Sequence, residues 1–257
     1  MSLYAEPRVV TDLSQCIFYH AMDLPGIGFA RGNWDLRQSF ERYTGGVDFA
    51  GKRTLDVGTA SGFLSFEAER RGAEVVSFDS TSPALHHGVP YLHIRRRRGV
   101  TPADVLDFEG IRNAYWTAHH AFGSQARCHY GDVYNLTDEI GEFDVALVCQ
   151  ILVHLRDPIA ALTSVAARCR GKLVITEGML DSEHPVGVFL GYREQAERYP
   201  NNSWWHYSTT LYRQMIGILG FKVVHFEWND YPWENAAGQK HVFKLGTLVA
   251  DRIAPHT

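Results

Sequence analysis

The stretch Thr54-Leu55-Asp56-Val57-Gly58-Thr59-Ala60-Ser61-Gly62-Phe63 leaves few options for the chain around it. An apolar run that ends in an acid, turns through glycines and enters an amphipathic segment is the pattern of a buried strand leading over a tight turn into a helix. Glu74-Val75-Val76-Ser77-Phe78-Asp79 follows as a second strand that closes on another carboxylate. Such a turn offers backbone N–H groups and a helix N-terminus to a ligand, and Asp79 is placed to receive a ribose diol. Together these features predict a nucleoside-cofactor site at one edge of a parallel sheet. The plainer alternative is a strand, turn and helix that bind nothing.

Two kinds of cofactor can be separated. A dinucleotide fold brings its glycines to a pyrophosphate in the spacing G-x-G-x-x-G, which Gly58-Thr59-Ala60-Ser61-Gly62 lacks. Asp56 at the turn would also repel a pyrophosphate. S-adenosylmethionine (SAM) carries an ammonium and a sulfonium, so an acid beside the turn is favourable to it, directly or through water. On this reading Asp56, Gly58, Thr59, Ala60, Ser61 and Gly62 hold SAM, with Asp79 and the adjoining Ser80 at the ribose. The D-x-G-x-x-x-G run resembles motif I of the class I SAM-dependent methyltransferases. That resemblance implies SAM as methyl donor and S-adenosylhomocysteine (SAH) as product.

At 257 residues, 45% of them apolar, the chain fits one large α/β domain with additions. Met1-Ser2-Leu3-Tyr4-Ala5-Glu6-Pro7-Arg8 has no apolar leader character. No later stretch approaches the ~20 apolar residues of a bilayer span, so a cytoplasmic protein is expected. Cys16, Cys128, Cys149 and Cys169 form no C-x-x-C pair, and His86, His87 and His93 lack ligand spacing, so no metal is implied. A net charge of −4 argues against a surface built to grip nucleic acid. The exception, Arg95-Arg96-Arg97-Arg98, reads as a solvated loop or as a phosphate contact.

Alternation continues beyond the first two strands. Ala126–Tyr130, Phe143–Val148 and Lys172–Thr176 read as the third, fourth and fifth strands, and Phe221–Phe226 with His241–Val249 as the last two. Helices are predicted over Phe108–Phe122, from Asp157-Pro158 to Arg168, and over Leu211–Leu219, stopped by Gly220. The predicted fold class is α/β: a seven-stranded Rossmann-like class I methyltransferase sheet with helices on both faces. Residues 1–48 are expected to form an N-terminal lid or cap, and residues 49–257 the methyltransferase domain. Insertions at about 81–124 and 177–208 lie on the substrate side.

The class resemblance implies further residues. Gly131-Asp132-Val133 follows the third strand, where an acid serves the adenine amine, and Asp132 takes that role, with an Asx turn as the alternative. Gln150, after the fourth strand, faces the methionine part of SAM. His154 is the candidate base for an acceptor that arrives protonated, or else a structural histidine that bonds its loop, and Glu177 after the fifth strand stands second. Neither an Asn/Asp-Pro-Pro-Tyr motif nor a Pro-Cys pair follows the fourth strand, which disfavours the amino-group and pyrimidine-ring chemistries tied to them.

Phe18-Tyr19-His20-Ala21-Met22-Asp23-Leu24-Pro25, Trp34-Asp35-Leu36-Arg37, Ile111-Arg112-Asn113-Ala114-Tyr115-Trp116 and Asn202-Ser203-Trp204-Trp205-His206-Tyr207 look like blocks of a narrower group. That group is the tRNA wobble-uridine (5-oxyacetic acid pathway) methyltransferase-like proteins, a superfamily with many small-molecule branches. By this resemblance Tyr19, His20, Trp34 and Arg37 form a lid, the first two toward the acceptor and the last two toward SAM. Trp204, Trp205 and His206, with Tyr192 and Arg193, line the acceptor pocket, unless the tryptophans pack the insertion onto the sheet. Val153 stands where the wobble-uridine enzymes carry a tyrosine, and the N-terminal region is not strongly basic. The expected function is methyl transfer from SAM to an oxygen or nitrogen of a small metabolite of natural-product or sugar type. The rivals are tRNA modification, a SAM-binding protein without catalysis and, more distantly, a nicotinamide oxidoreductase.

Overall fold

The computed structural model describes residues 2–81, 108–190, 203–235 and 237–254. The N-terminal segment carries a short hairpin, β1 (Met22–Leu24) with β2 (Gly28–Ala30), and a one-turn helix, α1 (Phe40–Tyr43). The alternating core then runs β3 (Arg53–Val57), α2 (Phe63–Arg70), β4 (Glu74–Ser80), α3 (Phe108–Phe122), β5 (Arg127–Gly131), β6 (Phe143–Cys149), α4 (Pro158–Arg168) and β7 (Cys169–Glu177). A small hairpin of β8 (Gly187–Phe189) and β9 (Trp205–Tyr207) precedes α5 (Thr209–Ile218), and β10 (Phe221–Glu234) and β11 (Lys240–Arg252) end the chain.

Seven strands form one sheet in the order β10-β11-β7-β6-β3-β4-β5. The five from β7 to β5 are parallel, and β11 runs against β7 and β10. The chain builds outward from β3 to β5 and then returns to build from β6 to β7, so the strand order reverses between β3 and β6. Open parallel sheets bind their ligands at the carboxyl ends beside such a switch point. The central strands are buried on both faces, as their near-continuous apolar runs require. One core layer joins Leu55, Val57 and Phe78 to Leu162 and Val165 of α4 and Met215 and Ile216 of α5. The other joins Val75, Val145 and Leu147 to Phe63 and Phe66 of α2, Tyr115 and Trp116 of α3, and Met22, Trp34 and Leu36.

Helix starts follow local chemistry. Asp157 caps α4 by accepting from Ala160 N–H with Pro158 in the first turn, and Ser208 caps α5 by accepting from Leu211 N–H. The expected strand and helix positions hold to within a few residues, except in the last hairpin. There the sequence reading stops β10 at Phe226 and begins β11 at His241, whereas pairing continues through Trp228↔Gly246 and Tyr231↔Phe243 to Glu234↔Lys240. Pro232 is tolerated because β10 is an edge strand and need not donate outward. The extension is held by the N-terminal segment, through a Trp34↔Trp233 bridge and the Glu234 N–H bond to Asn33 C=O at 2.8 Å.

Candidate active site

The turn after β3 is shaped by two glycines and one alanine with positive φ. Gly58 has φ +78°, and a β-carbon there would lie 3.0 Å from Ile151 Cδ1. Gly62 has φ +89°, and a β-carbon would meet Phe66 Cε2 at 2.3 Å and Tyr115 Cδ2 at 2.8 Å. Ala60 has φ +50°, and the only other described non-glycine residue with positive φ is Gln150 after β6, at +54°. Both sit at the carboxyl edge of the sheet, one on each side of the switch point. Strain of this kind collects where a backbone is shaped for a ligand.

Asp79 ties the two central strands together at their carboxyl ends. At the end of β4 its Oδ2 accepts from Ala60 N–H at 2.9 Å and its Oδ1 from Ser80 N–H at 2.7 Å. The carboxylate therefore ties the glycine-rich turn to the second strand and remains partly accessible. Arg112 of α3 donates to the carbonyls of Ser80 and Thr81 and lies over the Tyr130 ring, 4.5 Å from its centroid. The sequence reading did not single out these two residues, since nothing local joins α3 to the end of β4. Asp132 accepts from Tyr134 N–H at 2.9 Å in an Asx turn, exposed beside the buried Val133. A β-carbon on Gly131 would fall 2.8 Å from His129 Nε2, so that glycine allows β5 to end close to Phe78 and His129.

Three of the sequence-derived cofactor residues turn their side chains elsewhere. Asp56 is 1% exposed and accepts from Ser65 Oγ at 2.7 Å, in a chain that continues through Ser77 to Tyr115 OH. Burial raises its carboxyl to about 6, and its hydrogen bond joins β3 to α2 beneath the turn. Thr59 Oγ1 reaches the same Ser65 at 3.0 Å. Ser61, 0% exposed, accepts from Tyr19 N–H and His20 N–H, both at 3.1 Å, so its hydroxyl pins the N-terminal segment onto the glycine-rich turn. That bond spans more than forty residues and left no trace in sequence spacing.

Trp34 and Arg37, expected at the lid, likewise find partners within the protein. Trp34 is 6% exposed and packs on Phe243 with ring centroids 5.4 Å apart, which makes it a wedge between the N-terminal segment and the last hairpin. Arg37 gives Nη1 to both oxygens of Asp23 and its Nε and Nη2 to Asp35, and its guanidinium lies over Phe29. With two carboxylates in hand it braces the segment. Tyr19 and His20 are held against the glycine-rich turn by their backbone bonds to Ser61. Burial lowers His20 to about 3, so its ring is neutral, and its Nδ1 has no partner.

On the other side of the switch point, Gln150 has a buried side-chain nitrogen without a hydrogen-bond partner. Leu152–His154 forms a single 3-10 turn that leaves His154 half-buried. Glu177, 0% exposed at the end of β7, accepts from Leu152 N–H at 2.7 Å through Oε1, while Oε2 is unpartnered. Burial lifts its carboxyl to about 8, with the amides of Leu152, Ile151 and Val153 pulling the other way. The hairpin β8–β9 folds over this end. Trp204 is 3% exposed and packs rather than lines a pocket, donating its N–H to Val153 C=O at 2.7 Å. Trp205 donates Nε1–H to Arg156 C=O and stacks on Tyr207 at 5.9 Å, and His206 faces Gly178, the residue after Glu177. Tyr192, Arg193 and the Arg95 to Arg98 run fall outside the described residues. Among the described residues no cluster of metal-binding side chains occurs, and no helix is long and apolar enough to cross a membrane.

Comparison with known proteins agrees with this geometry. Over its aligned stretch of 121 residues the chain is 29% identical to a ubiquinone biosynthesis O-methyltransferase of Aromatoleum aromaticum, which covers 47% of this chain but only 41% of that protein. The fold superposes on magnesium protoporphyrin IX methyltransferase from Synechocystis PCC 6803 with bound SAM, with a TM-score of 0.52 at 14% identity over 84% of this chain and 77% of that one. It also superposes on the N-terminal domain of EvdMO1 with SAH bound, with a TM-score of 0.53 at 16% identity over 94% and 93% of the two chains. At these identities the structures show a shared fold. The narrower likeness to the tRNA wobble-uridine group gains no support, and its blocks prove to be packing: Trp34, Tyr115, Trp116 and Trp204 are all buried. Residues 35–225, about three quarters of the chain, match the methyltransferase domain family, and the chain belongs to that family.

Proposed function

We propose that this protein transfers a methyl group from SAM to an oxygen or nitrogen of a small-molecule metabolite. The observation that carries the reading is the Asp79 carboxylate bonded to Ala60 N–H across the ends of β3 and β4, beside a turn that only Gly58 and Gly62 permit. The residues present fit SAM. Asp79 offers acceptor oxygens to the ribose hydroxyls, and the buried, unpartnered amide of Gln150 offers N–H donors to the amino-acid carboxylate. Asp56 contributes its charge from beneath the turn through Ser65, while Asp132, Val133 and Gly131 border the adenine end. When bound, SAM supplies an electrophilic methyl on a sulfonium.

The chain's own task is to hold donor and acceptor in line and to exclude water, which can account for roughly 7–11 kcal/mol of a displacement barrier. Tyr19 and His20, whose backbone N–H groups are held by Ser61, border the acceptor side. His154 and His206 provide hydrogen-bonding groups at the acceptor end, where Trp205 and Tyr207 present ring faces to a planar or sugar-like body. The small-molecule reading also draws on the relatives, whose names refer to a quinone precursor and a porphyrin.

The test is incubation with methyl-labelled SAM and a cell extract separated into small-molecule, RNA and protein fractions. Label in the small-molecule fraction is the expected result. Label that ribonuclease removes would turn the reading to RNA, and a protein that binds SAM but labels nothing would turn it to a non-catalytic SAM-binding role.

A further inference from the structure

Among the described residues, Glu177 is a wholly buried carboxylate at this edge that is bonded through one oxygen and leaves the other without a partner. Oε1 is taken by Leu152 N–H, and Oε2 has no partner. The groups within electrostatic range come from four other elements: Tyr19 of the N-terminal segment, Tyr43 of α1, Cys149 of β6 and Tyr212 of α5. Burial raises all four above their usual ranges, so each is neutral at physiological pH. His206 of β9, against Gly178, is also kept neutral by burial, and His154 ends the turn whose amides face the carboxylate. Among the described residues no arginine or lysine acts on its charge.

Position decides what this carboxylate can meet. β7 lies three strands from β4 and its ribose acid, or ~14 Å at ~4.8 Å per strand. β3 and β6, which carry the glycine-rich turn and Gln150 at their ends, separate the two carboxylates, so SAM held by Asp79 at its ribose and by Gln150 at its amino-acid end would leave the end of β7 to the acceptor. Once ionised, this buried carboxylate has a free lone pair on Oε2 and no counter-charge, and a proton brought by the acceptor would meet it.

Resting on the methyltransferase reading, we propose that Oε2 of Glu177 receives the proton of the acceptor's hydroxyl or amine during transfer. The acceptor's O–H or N–H bond breaks, and its electron pair forms the new bond to the methyl carbon. The methyl–sulfur bond breaks with its pair going to sulfur, and the proton ends on Oε2. The backbone amides of Ile151, Leu152 and Val153 stabilise the carboxylate before the step, and the sulfonium charge favours its ionised form. His154 then orients the acceptor and is not the base.

The experiment uses the full chain, methyl-labelled SAM and the small-molecule fraction of a cell extract as acceptor, from pH 6 to pH 9, with SAM affinity measured by calorimetry in parallel. In the wild type the initial rate should climb about tenfold per pH unit and then level off, with the midpoint of the limb at or below about pH 8. Glu177→Gln should bind SAM as the wild type does, run ~100-fold slower or worse, and lose that limb. His154→Asn should be slower but keep it. A protonated-carboxyl infrared band present at pH 6, absent at pH 9 and absent from Glu177→Gln gives a reading that needs no acceptor. If Glu177→Gln binds SAM and retains the limb, this proposal alone is overturned. A wild type that fails to bind SAM overturns the functional reading and this proposal with it. If Glu177→Gln does not fold, a limb whose midpoint is unmoved in His154→Asn supports the proposal, and one that disappears there refutes it.

Discussion

Replacing Glu177 by glutamine should stabilise the fold, and increasingly so as the pH rises. The carboxyl is fully buried, and its ionisation is moved from 4.5 to about 8 by loss of water. Between those values the folded protein keeps a proton that the unfolded chain has released. The contribution of this group is thus complete below about pH 4.5 and is lost as the pH passes through 8. At about 1.36 kcal/mol per pH unit the whole displacement amounts to ~5 kcal/mol, of which 3–5 kcal/mol is the working range. Glutamine keeps the oxygen that accepts from Leu152 N–H and does not titrate. The stability gap between the two proteins should therefore be small at pH 5 and open by roughly 3–5 kcal/mol by pH 9. For a domain of this size that is a difference of ~10 °C in Tm between the ends of the series. Asp56 carries a similar but lower displacement, to about 6, and is common to both proteins, so it cancels. Thermal and denaturant unfolding of the pair at pH 5, 7 and 9 reads the gap directly. A gap that stays constant within about 1 kcal/mol across that range would refute the claim that this carboxyl is buried protonated.

Asp79→Asn should weaken SAM binding ~10- to 100-fold, the cost of losing charge-assisted hydrogen bonds to the ribose, measured by calorimetry. Ser61→Ala leaves the amides of Tyr19 and His20 unpaired and should cost ~2–4 kcal/mol of stability, while limited proteolysis near residue 20 becomes faster. Arg37→Ala breaks ion pairs on a side chain that is 30% exposed, so it should cost no more than ~1 kcal/mol and leave SAM affinity unchanged. A large loss of affinity in that variant would return Arg37 to the cofactor site.

What the sequence revealed and what it hid divide along contact range. The strands β3 and β4, the positive-φ glycines between them and the carboxylate of Asp79 are all encoded within 28 residues, and local periodicity with turn chemistry is enough to locate them. Cofactor geometry built from neighbours in sequence is legible for that reason. Arg37 is the opposite case. A cationic residue ahead of a SAM motif invites a ligand contact, but the charge is already met by Asp35 two residues back and by Asp23 across the hairpin. Only the turn between β1 and β2 brings Asp23 there, and no residue type announces that pairing. The partner of Asp56 was hidden in the same way, because its donor Ser65 lies in the first turn of α2 and no local pattern joins the two. Glu177 is the reverse case. Nothing in its sequence neighbourhood marks it above His154, since its isolation arises from four distant elements closing around one oxygen. Burial without a partner is a property of the packed molecule, and it is the property that gives a carboxylate an affinity for protons near neutral pH.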